Sequence, residues 1–223
     1  MMKVNQDVLK IIAVVAMTVD HVARISDDVV LMPLVLLGRL AFPIFGFLMM
    51  LHLWQNKCYV KYLKRLTVFG ILSQVAFIPF GYTSNILISF LWPVLTLYLF
   101  EKINQKHIHK AIGYALRTLI LIIGIFVSSF CDYHEFGYLY LLLIYAFLKD
   151  RTFPIGLMLG MVALMINGMH IGESFIGLAA TIALFMIPLS SGRRLISGKY
   201  TLYIYYPLHL VILLTLKHFG FFG

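Results

Sequence analysis

The stretch MTVDHVARI, Met17 to Ile25, sets a carboxylate, an imidazole and a guanidinium within five consecutive positions, Asp20, His21 and Arg24, at the end of an otherwise apolar run. These residue types move protons: an imidazole of ordinary pKa about 6.5 gives and takes a proton near neutral pH. Acid–base catalysis and a proton relay both use such a set. Further polar groups stand in equally apolar surroundings: Arg39 in GRLAFPIFGF, Gln74 in FGILSQVAFIPF, Asn85 shortly after it, and His209 in YIYYPLHL beside Tyr205 and Tyr206. Neither Cys58 nor Cys131 has metal-ligand spacing, and no metal is expected.

The elements that must position these groups follow from composition. Of 223 residues, 61% are hydrophobic and 12% charged, with mean hydropathy +0.93, whereas roughly a quarter of a soluble domain is charged. An all-α integral membrane protein is expected, a polytopic bundle forming one transmembrane domain over 1–223. Apolar runs mark candidate spans at about 8–25, 33–54, 61–80, 85–100, 111–131, 136–148, 153–168, 173–189 and 200–217, so the count is eight or nine, the sixth and seventh being short. The first run lacks a small-residue cleavage site and reads as a span, not a leader.

Charge orients the bundle. The N-terminus holds Lys3 and Lys10; Lys57, Lys61, Lys64 and Arg65 mark the second connection; Lys102, Lys106 and Lys110 the fourth; Lys149 and Arg151 the sixth; Arg193, Arg194 and Lys199 the eighth. The third, fifth and seventh contain no Lys or Arg. The positive-inside rule therefore puts the N-terminus in the cytoplasm and favours nine spans, with Arg24 and Lys217 as exceptions at outer ends. The same topology accounts for the net charge of +9 without nucleic acid, since no basic segment is interleaved with aromatics. It places Cys58 and Cys131 on opposite sides, where they cannot pair with each other.

Ionisable groups at membrane depth usually face a bundle interior or a wet cavity. At 1.5 Å per residue, Asp20 and His21 lie about 17 to 20 Å along the first span, and Arg39 about 9 Å into the second, all in the outer half. Gln74 lies about 20 Å up the third span and Asn85 opens the fourth, while His209 falls near the middle of the last. Convergence on one outward-facing polar pocket is expected. Pro43 should kink the second span and release the carbonyl of Arg39, as Pro207 should release that of Tyr203. Plainer readings stay open: Asp20 and Arg24 stand at i and i+4 as a helix ion pair, Arg39 suits snorkelling, and His209 suits an interhelical hydrogen bond.

Taken together, LKIIAVVAMTVDHVARI, GRLAFPIFGFLM, RLTVFGILSQVAFIPF with Asn85 following, DYHEFGYLYLLLIY and YTLYIYYPLHL resemble the TraX family from about Lys10 to His218. The specific parts are Asp20-His21 with the small Ala23 after it, Gly38-Arg39 with Phe42-Pro43, Gln74, Asn85 and the element from Tyr206 to His209. Trp92-Pro93 stands where members are usually more helix-friendly. The resemblance implies an inner-membrane acetyltransferase, related to one tied to N-terminal acetylation of conjugative pilin. Acetyl-CoA would be the donor, and the acceptor a pilin amine or another envelope group, on the outer side.

In that frame His21 is the expected base with Asp20 beside it, although neighbouring helix positions point about 100° apart and Asp20 also suits holding another helix. Arg39, Gln74 or Asn85 would supply oxyanion donors, with Tyr206 and His209 on the substrate side. Lys61, Arg65, Arg193 and Arg194 would hold the CoA phosphates, or serve as topology signals alone. An O-acetyltransferase of an envelope glycan or lipid uses the same chemistry. A small proton-coupled transporter relaying protons through Asp20, His21 and His209 is the rival outside it, although the repeat symmetry common in transporters is missing; a structural protein of a secretion apparatus is the third class.

Overall fold

With apolar residues on every side of its long segments, the backbone satisfies its own N–H and C=O groups by coiling into helices. The computed structural model describes residues 4–26, 32–78, 84–106, 108–148 and 200–221, together with 158–159, 162, 166 and 190–191. The helices are α1 (Gln6–Ile25), α2 (Met32–Gly38), α3 (Ala41–Asn56), α4 (Tyr59–Phe77), α5 (Ile86–Gln105), α6 (Lys110–Ser128), α7 (His134–Leu148) and α8 (Thr201–His218). The all-helical class expected from composition is observed, apart from a two-residue parallel bridge in which Val4 faces Ser190 and Asn5 faces Ser191. Two of the described helices, α5 and α6, are long and apolar enough to cross a membrane. The spans expected at 153–168 and 173–189, and Arg193 and Arg194 after them, lie outside the described residues.

The second expected span is two helices. A turn at Arg39–Leu40 separates α2 from α3, Leu40 N–H donating to Leu37 O at 3.1 Å and Ile44 N–H to Leu40 O at 3.3 Å. Proline explains the correction: Pro43 lacks the N–H that would reach Arg39 O, so a continuous helix is disfavoured there. It sits instead in the first turn of α3, where the missing donor costs nothing. Neither Pro93 nor Pro207 has this effect, since α5 and α8 run through them.

Two compact units divide the chain, residues 1–50 with 164–223 and residues 51–163. In the first, α1 buries Leu9, Ala13, Ala16, Met17 and Asp20, three and four positions apart on one face, while Val8, Ile11 and Val15 point outward. In the second, α4 meets α5 along Leu66, Gly70, Ser73 and Phe77. Gly70 permits that approach, since a Cβ there would lie 3.3 Å from Ile88 Cγ1.

Asn85 joins these two helices. Its Oδ1 caps α5 by accepting from the N–H groups of Leu87 (3.0 Å) and Ile88 (3.4 Å). Its amide donates to Gly70 O and to Gln74 Oε1, each at 2.8 Å. Asn85→Ala removes a cap and strands buried partners, and is expected to cost about 2–3 kcal/mol. Asn85→Ser keeps a cap acceptor without burying a charge against Gly70 O and Gln74 Oε1 and should lose less, as thermal unfolding of the detergent-solubilised chain can read.

A second tie joins α5, α6 and α7. Tyr138 on α7 hydrogen-bonds Thr96 on α5 through its hydroxyl at 2.8 Å. Its phenol lies against Gly124 of α6, where a Cβ would come 2.2 Å from the oxygen and 2.5 Å from Cζ. Gly124→Ala should therefore lower Tm by overpacking worth about 1–3 kcal/mol. Tyr138→Phe leaves the Cζ clash in place and should not rescue it, whereas Tyr138→Leu should.

Candidate functional site

The polar groups of the first unit come from three places: Asp20 and His21 from the last turns of α1, Arg39 from the turn after α2, and Tyr205, Tyr206 and His209 from the middle of α8. All but Tyr205 are buried. The pair at their centre is His21 and His209, whose Nδ1 and Nε2 lie 2.9 Å apart. The ring centroids are 5.1 Å apart and the planes 26° apart. With the nitrogens that close, such a centroid separation puts the rings edge to edge along the N···N line, the geometry of a hydrogen bond and not of face-on stacking.

The tautomers follow from one further contact. His209 Nδ1 lies 3.0 Å from the carbonyl oxygen of Tyr205, which only accepts, so Nδ1 carries the proton. In neutral His209 the lone pair is then on Nε2, and His21 must donate to it from Nδ1. The lone pair of neutral His21 consequently lies on Nε2, the basic nitrogen of the pair. Two tyrosines hold the rings in place. Tyr205 stacks on His209 with centroids 5.0 Å apart and planes 8° apart. Tyr206 meets both imidazoles, at 6.3 Å from His21 and 5.6 Å from His209. Thr18 spends its hydroxyl hydrogen on Val14 O at 2.8 Å, so the Tyr205 hydroxyl donates to Thr18 Oγ1, 2.6 Å away.

Asp20 is engaged elsewhere. Its Oδ2 accepts from Arg24 Nε at 3.0 Å, one turn along α1. Its Cβ fills the place a side chain at Gly38 would take, only 2.1 Å from where a Cβ there would stand. Thus the acid pins α1 to α2, and the guanidinium of Arg39, the next residue, comes within electrostatic range of His21, as does that of Arg24. A base with a defined lone pair, a second imidazole to share its proton and a nearby buried cation are suited to proton abstraction beside a developing negative charge.

A family model described as TraX protein matches residues 5–217. The chain belongs to the TraX family. No curated protein and no solved structure matches it.

In this TraX-family chain the structure brings Asp20, His21, Arg39, Tyr206 and His209 together in one unit. Gln74 and Asn85 belong to the other unit, where they bond each other. Lys61 and Arg65 lie one turn apart in the first turns of α4, with Lys61 exposed. Sequence reading passed over Thr18 and Arg117, and gave Tyr205 no task of its own. Tyr205 had a signal, standing at i−4 to His209 where an aromatic ring and a backbone carbonyl can both reach the imidazole. Arg117 had another, a lone cation inside an apolar run.

Proposed function

We propose that this chain is a membrane-embedded acetyltransferase that moves an acetyl group from cytoplasmic acetyl-CoA to an acceptor on the outer side of a bacterial inner membrane, the N-terminal amine of a pilin. TraX membership fits a role in conjugative pilin processing. The observation that carries the chemistry is the buried, edge-to-edge His21–His209 pair, with the buried Arg39 within electrostatic range of His21. Multiple membrane crossings suit the outward faces of the helices. On α6 the side chains of Ile112, Leu119, Ile122, Ile123 and Phe126 are all more than half exposed, an apolar surface that water disfavours.

An α-amine of pKa about 7.7 to 8.0 is partly neutral at pH 7, so it needs a base only as it attacks. As its nitrogen bonds the thioester carbonyl carbon, His21 Nε2 takes the proton. His21 Nδ1–H can then pass a proton to His209 Nε2, giving a cation whose other N–H still faces Tyr205 O. Arg39 is placed to offset the charge that develops on the carbonyl oxygen. Collapse breaks the C–S bond, and the CoA thiolate leaves with the proton the histidine pair held. The products are the acetylated amine and CoA; a hydroxyl acceptor would follow the same course with more demand on the base.

Purified protein in lipid vesicles supplied with acetyl-CoA tests this. Free CoA should appear when a pilin with a free N-terminus is present and not when that amine is blocked, and Arg39→Ala should slow release about 10²-fold. CoA release unaffected by the acceptor and by Arg39 would reject the transferase.

A further inference from the structure

Arg117 lies on α6 about 10 Å beyond its start at Lys110, on the helix that is the less buried of the two able to cross a membrane. Side chains on a helix lean toward its N-terminus, and this one does: the guanidinium lies over the ring of Tyr114, 5.7 Å from its centroid, and donates to the side-chain oxygen of Asn104 near the end of α5. Tyr114 itself is 66% exposed. Among the described residues Arg117 forms no ion pair; its partner is a neutral amide. Between residues 84 and 131 the chain has one acid, Glu101, against Lys102, Lys106, Lys110 and Arg117. That acid's side chain is 3.9 Å from Lys57, outside the hairpin. A planar fork of N–H donors is thus held at the level of an exposed phenol, above a collar of lysines, with no carboxylate to satisfy it.

We infer that Arg117, Asn104 and Tyr114 form a binding site for the phosphate of an anionic phospholipid in the cytoplasmic leaflet. The inference rests on the membrane reading of α5 and α6 given above. Acyl chains would lie along the exposed apolar face of α6, while the phosphate takes the donors Arg117 does not spend on Asn104. Tyr114 is amphipathic at the same depth. Lys102, Lys106 and Lys110 would raise the local concentration of anionic lipid without fixing one molecule.

Full-length protein purified in detergent is titrated with phosphatidylglycerol and with phosphatidylcholine, and bound lipid is counted by native mass spectrometry. Wild type should hold one phosphatidylglycerol more tightly than any phosphatidylcholine. Arg117→Gln should weaken that lipid about fivefold to tenfold, Arg117→Lys by less, and Lys64→Gln, the same loss of charge on another helix, not at all. Equal phosphatidylglycerol binding by wild type and Arg117→Gln, or no preference over phosphatidylcholine, overturns the site. Equal competition by inorganic phosphate alone reassigns it to a free anion and overturns the lipid. Retention of the protein in vesicles through an alkaline wash separates the two levels: retained protein without the preference loses only the lipid site, while protein that washes off loses the membrane reading and the lipid site together.

Discussion

Acetyl transfer should fall about 10²- to 10⁴-fold in His21→Ala, the range expected for removal of a general base. Stranding the buried His209 Nε2 lowers stability by about 1–3 kcal/mol, so the loss is read on protein that thermal unfolding shows to be folded. The variants at His209 then separate two tasks that the hydrogen-bond geometry assigns to it. Gln at 209 has a side-chain oxygen able to accept from His21 Nδ1–H, so it can keep the lone pair of His21 on Nε2, but it cannot carry the transferred proton. Leu at 209 can do neither. Turnover should therefore decline in the order wild type, His209→Gln, His209→Leu, with KM for acetyl-CoA nearly constant, because His209 acts on His21 and not on the donor. Equal activity in His209→Gln and His209→Leu would show that the tautomer does not matter and remove His209 from the proton path. Tyr205→Phe makes a useful contrast: it loses the hydroxyl bond to Thr18 but keeps the backbone carbonyl that fixes His209, so its effect should be several-fold at most.

How far the sequence could lead is visible in these same residues. Asp20 and Arg24 stand at i and i+4, and their ion pair is local, so spacing alone made it readable. His21 and His209 are 188 positions apart, and depth along each span placed one in the outer half and the other near the middle. Helix ends uncertain by a few residues blur such depths by several ångströms, and depth does not say which helices are neighbours. The missing step was therefore α1 packing beside α8. Pro43 was legible as a disruption but misread as a kink, because a proline three residues into a helix and one inside a longer helix look alike until the turn at Arg39 is seen. Asn85 shows the converse: an Asn just before an apolar run is a helix-cap signal, its Oδ1 caps α5, and its amide nitrogen donates to α4.

Gly38→Ala should be as damaging as loss of the base, although it touches no reacting atom. A Cβ at position 38 would stand 2.1 Å from Asp20 Cβ, with the Asp20 carboxyl carbon and Oδ1 each at 2.7 Å. No rotamer of Asp20 relieves a clash with its own Cβ, so the backbones of α1 and α2 must separate. Asp20 and His21 are adjacent on α1 and Arg39 follows Gly38 directly, so that separation moves the base away from the cation. A displacement near 1 Å in a positioned site costs about 10²-fold in rate, and the overpacking itself costs about 1–3 kcal/mol or more. Asp20→Ala keeps the Cβ and should not restore Gly38→Ala, whereas Asp20→Gly removes it and should recover stability while still lacking the Arg24 ion pair. Thermal unfolding and acetyl transfer measured on the single and double variants distinguish steric contact at this crossing from a need for the Asp20 charge. If Asp20→Ala rescued Gly38→Ala, the carboxylate and not the close helix approach would be what glycine accommodates.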